Sequence, residues 1–173
     1  MRIPVEELTP DAFAPYGAVI EQPDATADAS GSGWSWWSEI SRLPQADRPY
    51  AVGYLNLQPS AMEFDWAERH LKSAEVIIPL GGACLVYVGP PDQTPVWDQF
   101  RVYRVRPGQA VVLKEGIWHG APLALDHPLT ALVLLRQGTG TEDVYKSERT
   151  EGPMHVVPNE TRMGEGERTH ASR

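Results

Sequence analysis

A single cysteine, Cys84, stands among 173 residues, so no internal disulfide can form and the fold must be held by packing alone. Its place inside the apolar run ACLVYV points the thiol at a core, and an unpaired cysteine suits a reducing cytoplasm. Nowhere does the chain reach the about eighteen consecutive apolar residues of a membrane-spanning helix. The opening MRIPVEELTP carries Glu6, Glu7 and two prolines where a signal peptide needs an unbroken apolar stretch, so a soluble chain with no membrane partner is expected. Clusters of Lys and Arg interleaved with aromatics are also missing. With 15 basic against 23 acidic residues the net charge is −8, which repels polyanions and argues against nucleic acid as a partner. Long helices have little room beside 15 Gly and 16 Pro, a composition that suits many short strands joined by turns.

What is present is an all-β pattern in one domain. In LTPDAFAPYG, Thr9 can cap one helical turn with Pro10 at its first position, and Pro15 and Gly17 stop it at once. GAVIEQ reads as a strand and ATADASGSG, residues 25–33, as a polar flexible connection. WSWWSEI then places three tryptophans in four residues, at neither strand nor helix spacing, suited to walling a pocket or plugging one end of a barrel. YAVGYLNL alternates as a strand, and SAMEFDWAER bends or makes a short helical turn. From residue 75 a procession of strands follows, EVIIPL, ACLVYVG, QFRVYRVR, QAVVLK and LTALVLLR, the last apolar enough to be buried on both faces. Residues 1–145 should form a single barrel domain. The charged stretch 146–173 is expected to be a tail, partly disordered or docked on a neighbour.

Within this pattern, FDWAERHLKSAEVIIPLGG puts Glu68 and His70 two residues apart, on one side of an extended segment, with Glu75 able to rejoin them after a bend at LKSA. A second segment, GQAVVLKEGIWHG, opens with Gly108, turns at Lys114 and Gly116 and reaches His119. His127, next to a proline in a turn, and His155 and His170 in the tail read as surface residues.

The spacing ExHxxxxExxxxxxG from Glu68 to Gly82 resembles the first motif of the cupin superfamily, with Glu68 in place of its first histidine. GxxxxxKxGxxH from Gly108 to His119 resembles the second, with Lys114 where proline is usual. The resemblance implies a cupin-type double-stranded β-helix, a jelly-roll barrel with short helical turns, in which Glu68, His70, Glu75 and His119 line one cavity. Such a set of two imidazoles and two carboxylates suits Mn²⁺, Fe²⁺, Ni²⁺ or Zn²⁺.

A narrower resemblance covers most of the chain. LTPDAFAPYG, the ERH of Glu68 to His70 with IIPLGG, and GIWHGAPLAL are similar to the ureidoglycolate lyase family, whose members split ureidoglycolate into glyoxylate and urea in allantoin degradation, a part of purine metabolism. The chain departs from the family's usual residues at Glu75 (Gln), Lys114 (His) and Gly120 (His), and at the tryptophan cluster. The resemblance implies a carbon–nitrogen lyase acting on a small carboxylate, with Glu68, His70 and His119 in proton transfer and Lys114, or Arg69, pairing with the substrate carboxylate. Two other readings stay open: another metal-dependent cupin enzyme, an isomerase or dioxygenase on a small hydroxy or keto acid, and a cupin that binds a metabolite without turning it over. A homodimer is the expected assembly.

Overall fold

The computed structural model describes residues 1–158, and they form two curled sheets facing each other across a core. The smaller sheet orders its five antiparallel strands as Gly17–Ile20, Ala110–Leu113, Glu75–Leu80, Leu129–Arg136 and Tyr50–Leu57. The larger runs Tyr145–Glu148, Trp66–Arg69, Trp118–His119, Cys84–Gly89, Arg101–Val105, Arg2–Glu7, Met154–Val157 and Glu63–Phe64, with Leu123–Ala124 also paired to Cys84–Gly89. Arg2–Glu7 lies parallel to both of its neighbours. This is the cupin-type double-stranded β-helix, and helix is confined to short turns. Among the described residues no helix is long and apolar enough to cross a membrane.

Alternation along the strands makes two cores from one sheet. Cys84, Val86 and Val88 pack with Ile77, Val111, Leu113 and Ala131 between the sheets. Their neighbours Leu85 and Tyr87 join Phe64, Phe100, Trp118 and Met154 on the other face of the larger sheet. Burial pushes the Cys84 thiol up to about 12, so it packs as a neutral core group. At the N-terminal turn, Thr9 Oγ1 accepts from the Ala12 amide at 3.2 Å, Pro10 opens Pro10–Phe13, and Phe13 is fully buried. Gly17 must lack a side chain, since a Cβ there would stand 1.7 Å from the Val112 carbonyl oxygen of the paired strand.

Several segments differ from the reading of the sequence. Residues 29–36 are not a plain connection: Ala29–Gly31 and Trp34–Trp36 form an exposed hairpin, turned by Gly33 at φ 85°. Trp34 and Trp36 therefore neither wall the cavity nor plug the barrel, being 56% and 59% exposed. SAMEFDWAER bends at Met62, as expected, but then forms two short strands. LTALVLLR is not buried on both sides: Leu129, Ala131 and Arg136 are buried, while Leu132 to Leu135 are half-buried, Val133 and Leu135 because they line a cavity. The stretch from 146 to 158 is not a tail: Tyr145–Glu148 pairs with Trp66–Arg69, and Met154–Val157 seats Met154 and Val156 in the core of the larger sheet. Residues 159–173 of the expected tail, His170 among them, lie outside the described residues.

Candidate functional site

Glu68, His70, Glu75 and His119 come together on the inner side of the barrel, at a cavity of about 560 Å³ lined by Glu68, His70 and Glu75. Register places three of them. His119 is the direct cross-strand partner of Glu68, so both side chains share the inner face, and His70 follows Glu68 at a spacing of two. Glu75 arrives from the other sheet, at the start of Glu75–Leu80. The two motif segments are tied where the Gly116 amide donates to the His70 carbonyl at 2.7 Å, with Gly116 at φ 80°.

The imidazoles are fixed from behind. His70 Nδ1–H donates to the Asp143 carbonyl at 2.6 Å, and His119 Nδ1–H donates to the Ile117 carbonyl at 2.8 Å. A carbonyl oxygen only accepts, so both Nδ1 atoms carry hydrogen. The Nε2 atoms then face a single oxygen, Glu75 Oε2, at 3.2 Å from His70 and 3.1 Å from His119. A carboxylate oxygen also only accepts. Two bare ring nitrogens and a carboxylate meeting at one point repel unless a proton or a cation sits among them. Burial raises the Glu75 carboxyl, but the charge and hydrogen bonds of His119 and His70 outweigh it and hold the group down at about 2. For His119, burial disfavours the charged ring, and the charge and hydrogen bond of Glu75 reverse this and raise it. The corner therefore holds a carboxylate with compensating positive charge.

The two imidazoles, with Glu68, also suit a divalent metal: Glu68, His70 and His119 can each bring one ligand atom within 4.8 Å of the others, and Glu75 Oε2 lies against the same two Nε2 atoms. The tautomer agrees as well, since a ligating histidine usually donates its other N–H to a carbonyl or carboxylate.

Lys114 does not join this group. Its ammonium donates to the Ala14 carbonyl at 2.6 Å, away from the cavity lining. Arg69 is also committed elsewhere, donating to the Asp92 carbonyl and lying 4.8 Å over the Trp118 ring. Gly120 does line the cavity, and a Cβ there would stand 1.7 Å from the Tyr87 hydroxyl, so Tyr87 occupies the space a side chain at 120 would need. His127 and His155 are exposed, the latter paired with Glu63 at 3.0 Å.

Three residues of the site escaped the sequence reading. Asp143, fully buried, accepts from the Leu71 and Lys72 amides at 2.9 and 2.8 Å while its carbonyl holds His70, so it fixes the loop between His70 and Glu75. Arg136 lines the cavity with its guanidinium bonded to Asp47 and to the Gln137 carbonyl. Lys146, also lining it, is the register partner of Glu68. The only signal available for them was charge next to apolar runs, at LLRQG and in TEDVYK.

A cupin barrel whose two motif segments bring two imidazoles and two carboxylates to one cavity defines a class: a small-molecule site with a Glu68–His70–His119 group that could hold a metal ion. Residues 1–156 match the family model described as ureidoglycolate lyase. The chain belongs to the ureidoglycolate lyase family. It is 27% identical over 182 residues to the ureidoglycolate lyase of Schizosaccharomyces pombe, covering 90% of this chain and 95% of that one. To the ureidoglycolate lyase of Azotobacter vinelandii it is 31% identical over 142 residues, 79% of this chain and 86% of that one. Among solved structures, the 3,4-ketoisomerase QdtA from Thermoanaerobacterium thermosaccharolyticum aligns with a TM-score of 0.49 at 17% identity, over 74% of this chain and 85% of that one.

Proposed function

We propose that this chain is a lyase that cleaves the C–N bond of ureidoglycolate to give glyoxylate and urea. The observation that carries the reading is the corner in which His70 and His119, each fixed at Nδ1, turn both Nε2 atoms onto Glu75 inside a cavity large enough for a small acid. In ureidoglycolate one carbon bears a hydroxyl, a ureido nitrogen and a carboxylate. Loss of the hydroxyl proton forms the carbonyl of glyoxylate as the C–N bond breaks, and the departing nitrogen takes a proton to become urea; no water is consumed.

Of the four side chains, Glu68 is the most open, 21% exposed, and is the group that takes the hydroxyl proton. Without a metal, a proton held between Glu75 and an Nε2 of the His70–Glu75–His119 corner is the one that urea needs, and His70 and Glu75 line the cavity. Glu68, His70, Glu75 and His119 would hold a divalent metal, with Mn, Fe, Ni and Zn all compatible with the donors. Bound there, the ion would act as a Lewis acid on the substrate hydroxyl.

The same reading places the protein in the cytoplasm as a homodimer. The outer face of the smaller sheet supports pairing, because its edge strand Tyr50–Leu57 presents Val52 and Tyr54, 66% and 70% exposed. An isologous contact would cover this apolar edge. Release of urea and glyoxylate in equal amounts from ureidoglycolate by the purified protein tests the activity, and absence of both products overturns it. Molar mass in solution tests the dimer.

A further inference from the structure

We infer that Lys146 is the residue that binds the substrate carboxylate. The inference rests on the lyase reading above and adds a residue to it. Any small acid entering this cavity meets Glu68 and Glu75, on a chain of net charge −8, so a cation must offset the repulsion. Among the described residues lining the cavity there are two cations, Arg136 and Lys146. Arg136 is spent: its side chain is buried, with Nε and Nη2 on the Asp47 carboxylate and Nη1 on the Gln137 carbonyl.

Lys146 is free to act. Its side chain is 64% exposed, and its ammonium makes one loose ion pair, 3.6 Å from Glu68 Oε2, with the Trp66 ring 5.3 Å away. An ammonium has three donors, so the contact with Glu68 leaves others for a ligand. Register fixes its direction. Lys146 stands directly opposite Glu68, which stands directly opposite His119, so three adjacent strands present a cation, a carboxylate and an imidazole in one row on the inner face. A substrate with its carboxylate on Lys146 lays its hydroxyl carbon toward Glu68 and the imidazoles, the order the cleavage requires. Glu68 in turn keeps the ammonium over the cavity.

Steady-state kinetics of Lys146→Met and Lys146→Arg on ureidoglycolate, with inhibition by glyoxylate and by urea, tests this. Loss of a hydrogen-bonded charge pair should raise the KM of Lys146→Met by about 10- to 100-fold, with kcat within about threefold of wild type. Lys146→Arg should recover most of the loss. Glyoxylate, which keeps the carboxylate, should inhibit Lys146→Met at least about 10-fold more weakly, whereas neutral urea should inhibit both proteins alike. An unchanged KM, a loss confined to kcat, or equal weakening of both inhibitors would overturn the assignment. If wild type releases no urea, the lyase reading falls by itself. Calorimetric titration with glyoxylate then decides Lys146 separately: binding to wild type that Lys146→Met loses supports it, and equal binding or none overturns it.

Discussion

The cavity has a closed corner and an open rim, and the two treat the same kind of side chain differently. Glu75, in the corner, is buried between two imidazoles that are themselves locked onto backbone carbonyls. Glu68, on the rim, faces an exposed ammonium at 3.6 Å and remains in contact with solvent. Burial with both imidazoles on Oε2 holds Glu75 as a carboxylate in one place. Partial exposure leaves Glu68 able to exchange a proton with whatever enters. The proposed cleavage needs both a fixed charge and a mobile proton, and two glutamates seven positions apart in sequence, on strands of different sheets, offer these two environments.

Removing the corner should have the largest effect. Glu75→Ala leaves the two Nε2 atoms without their common partner, and urea release should fall by about 100-fold or more. Glu75→Gln keeps the shape and one acceptor, so it should lose less activity but retain divalent metal more weakly, since an amide oxygen is a poorer donor than a carboxylate. Metal content of the purified variant checks this, and unchanged content would take Glu75 out of the ligand set.

Behind the corner, Asp143→Ala removes two hydrogen bonds from the Leu71 and Lys72 amides to a buried carboxylate, a cost of about 3 kcal/mol. The melting temperature should drop by roughly 6 to 12 °C. An unchanged melting temperature would show that the corner does not depend on this support.

At the rim the effects should be smaller and set by pH. The hydrogen bond from Arg136, more than the opposing desolvation, lowers the Asp47 carboxyl from 3.8 to about 2. Because the folded value lies below the unfolded one, this contribution to stability is present above about pH 4 and is lost as pH falls toward 2. Denaturant unfolding of Asp47→Asn across that window should show a shallower acid dependence than wild type, and parallel curves would remove the pair from the acid response. Lys114→Met should change neither KM nor stability appreciably, because its ammonium meets only the Ala14 carbonyl at an exposed position. A raised KM in that variant would return the carboxylate to Lys114 and erase the contrast between rim and corner.

The parts of the site that lie within one strand or one turn were legible in the sequence. Spacing of two put Glu68 and His70 on a common side, and the glycine turn delivered His119. What was hidden depends on register between distant strands. Lys146 faces the cavity because it pairs with Glu68, and nothing in VYKSE states that pairing. Asp143 acts through its backbone carbonyl as much as its carboxylate, and a carbonyl has no signature in sequence. The second strand after residue 145 was obscured by its charged flanks, although Met154, His155 and Val156 do alternate between core and solvent. The tryptophan cluster misled for the opposite reason: large apolar side chains suggested burial, and the hairpin that carries them packs against little.

The strand Arg2–Glu7 lies between Arg101–Val105 and Met154–Val157, with Arg2 opposite His155. In a chain made from its N-terminus, this strand is made before either of its partners, and Ile3 cannot be sealed into its core until Val156 has been synthesised. Closure across nearly the whole chain is entropically costly and slow. The larger sheet therefore closes late, and until Arg101–Val105 has been made the strand Arg2–Glu7 has both edges unpaired and within reach of other chains.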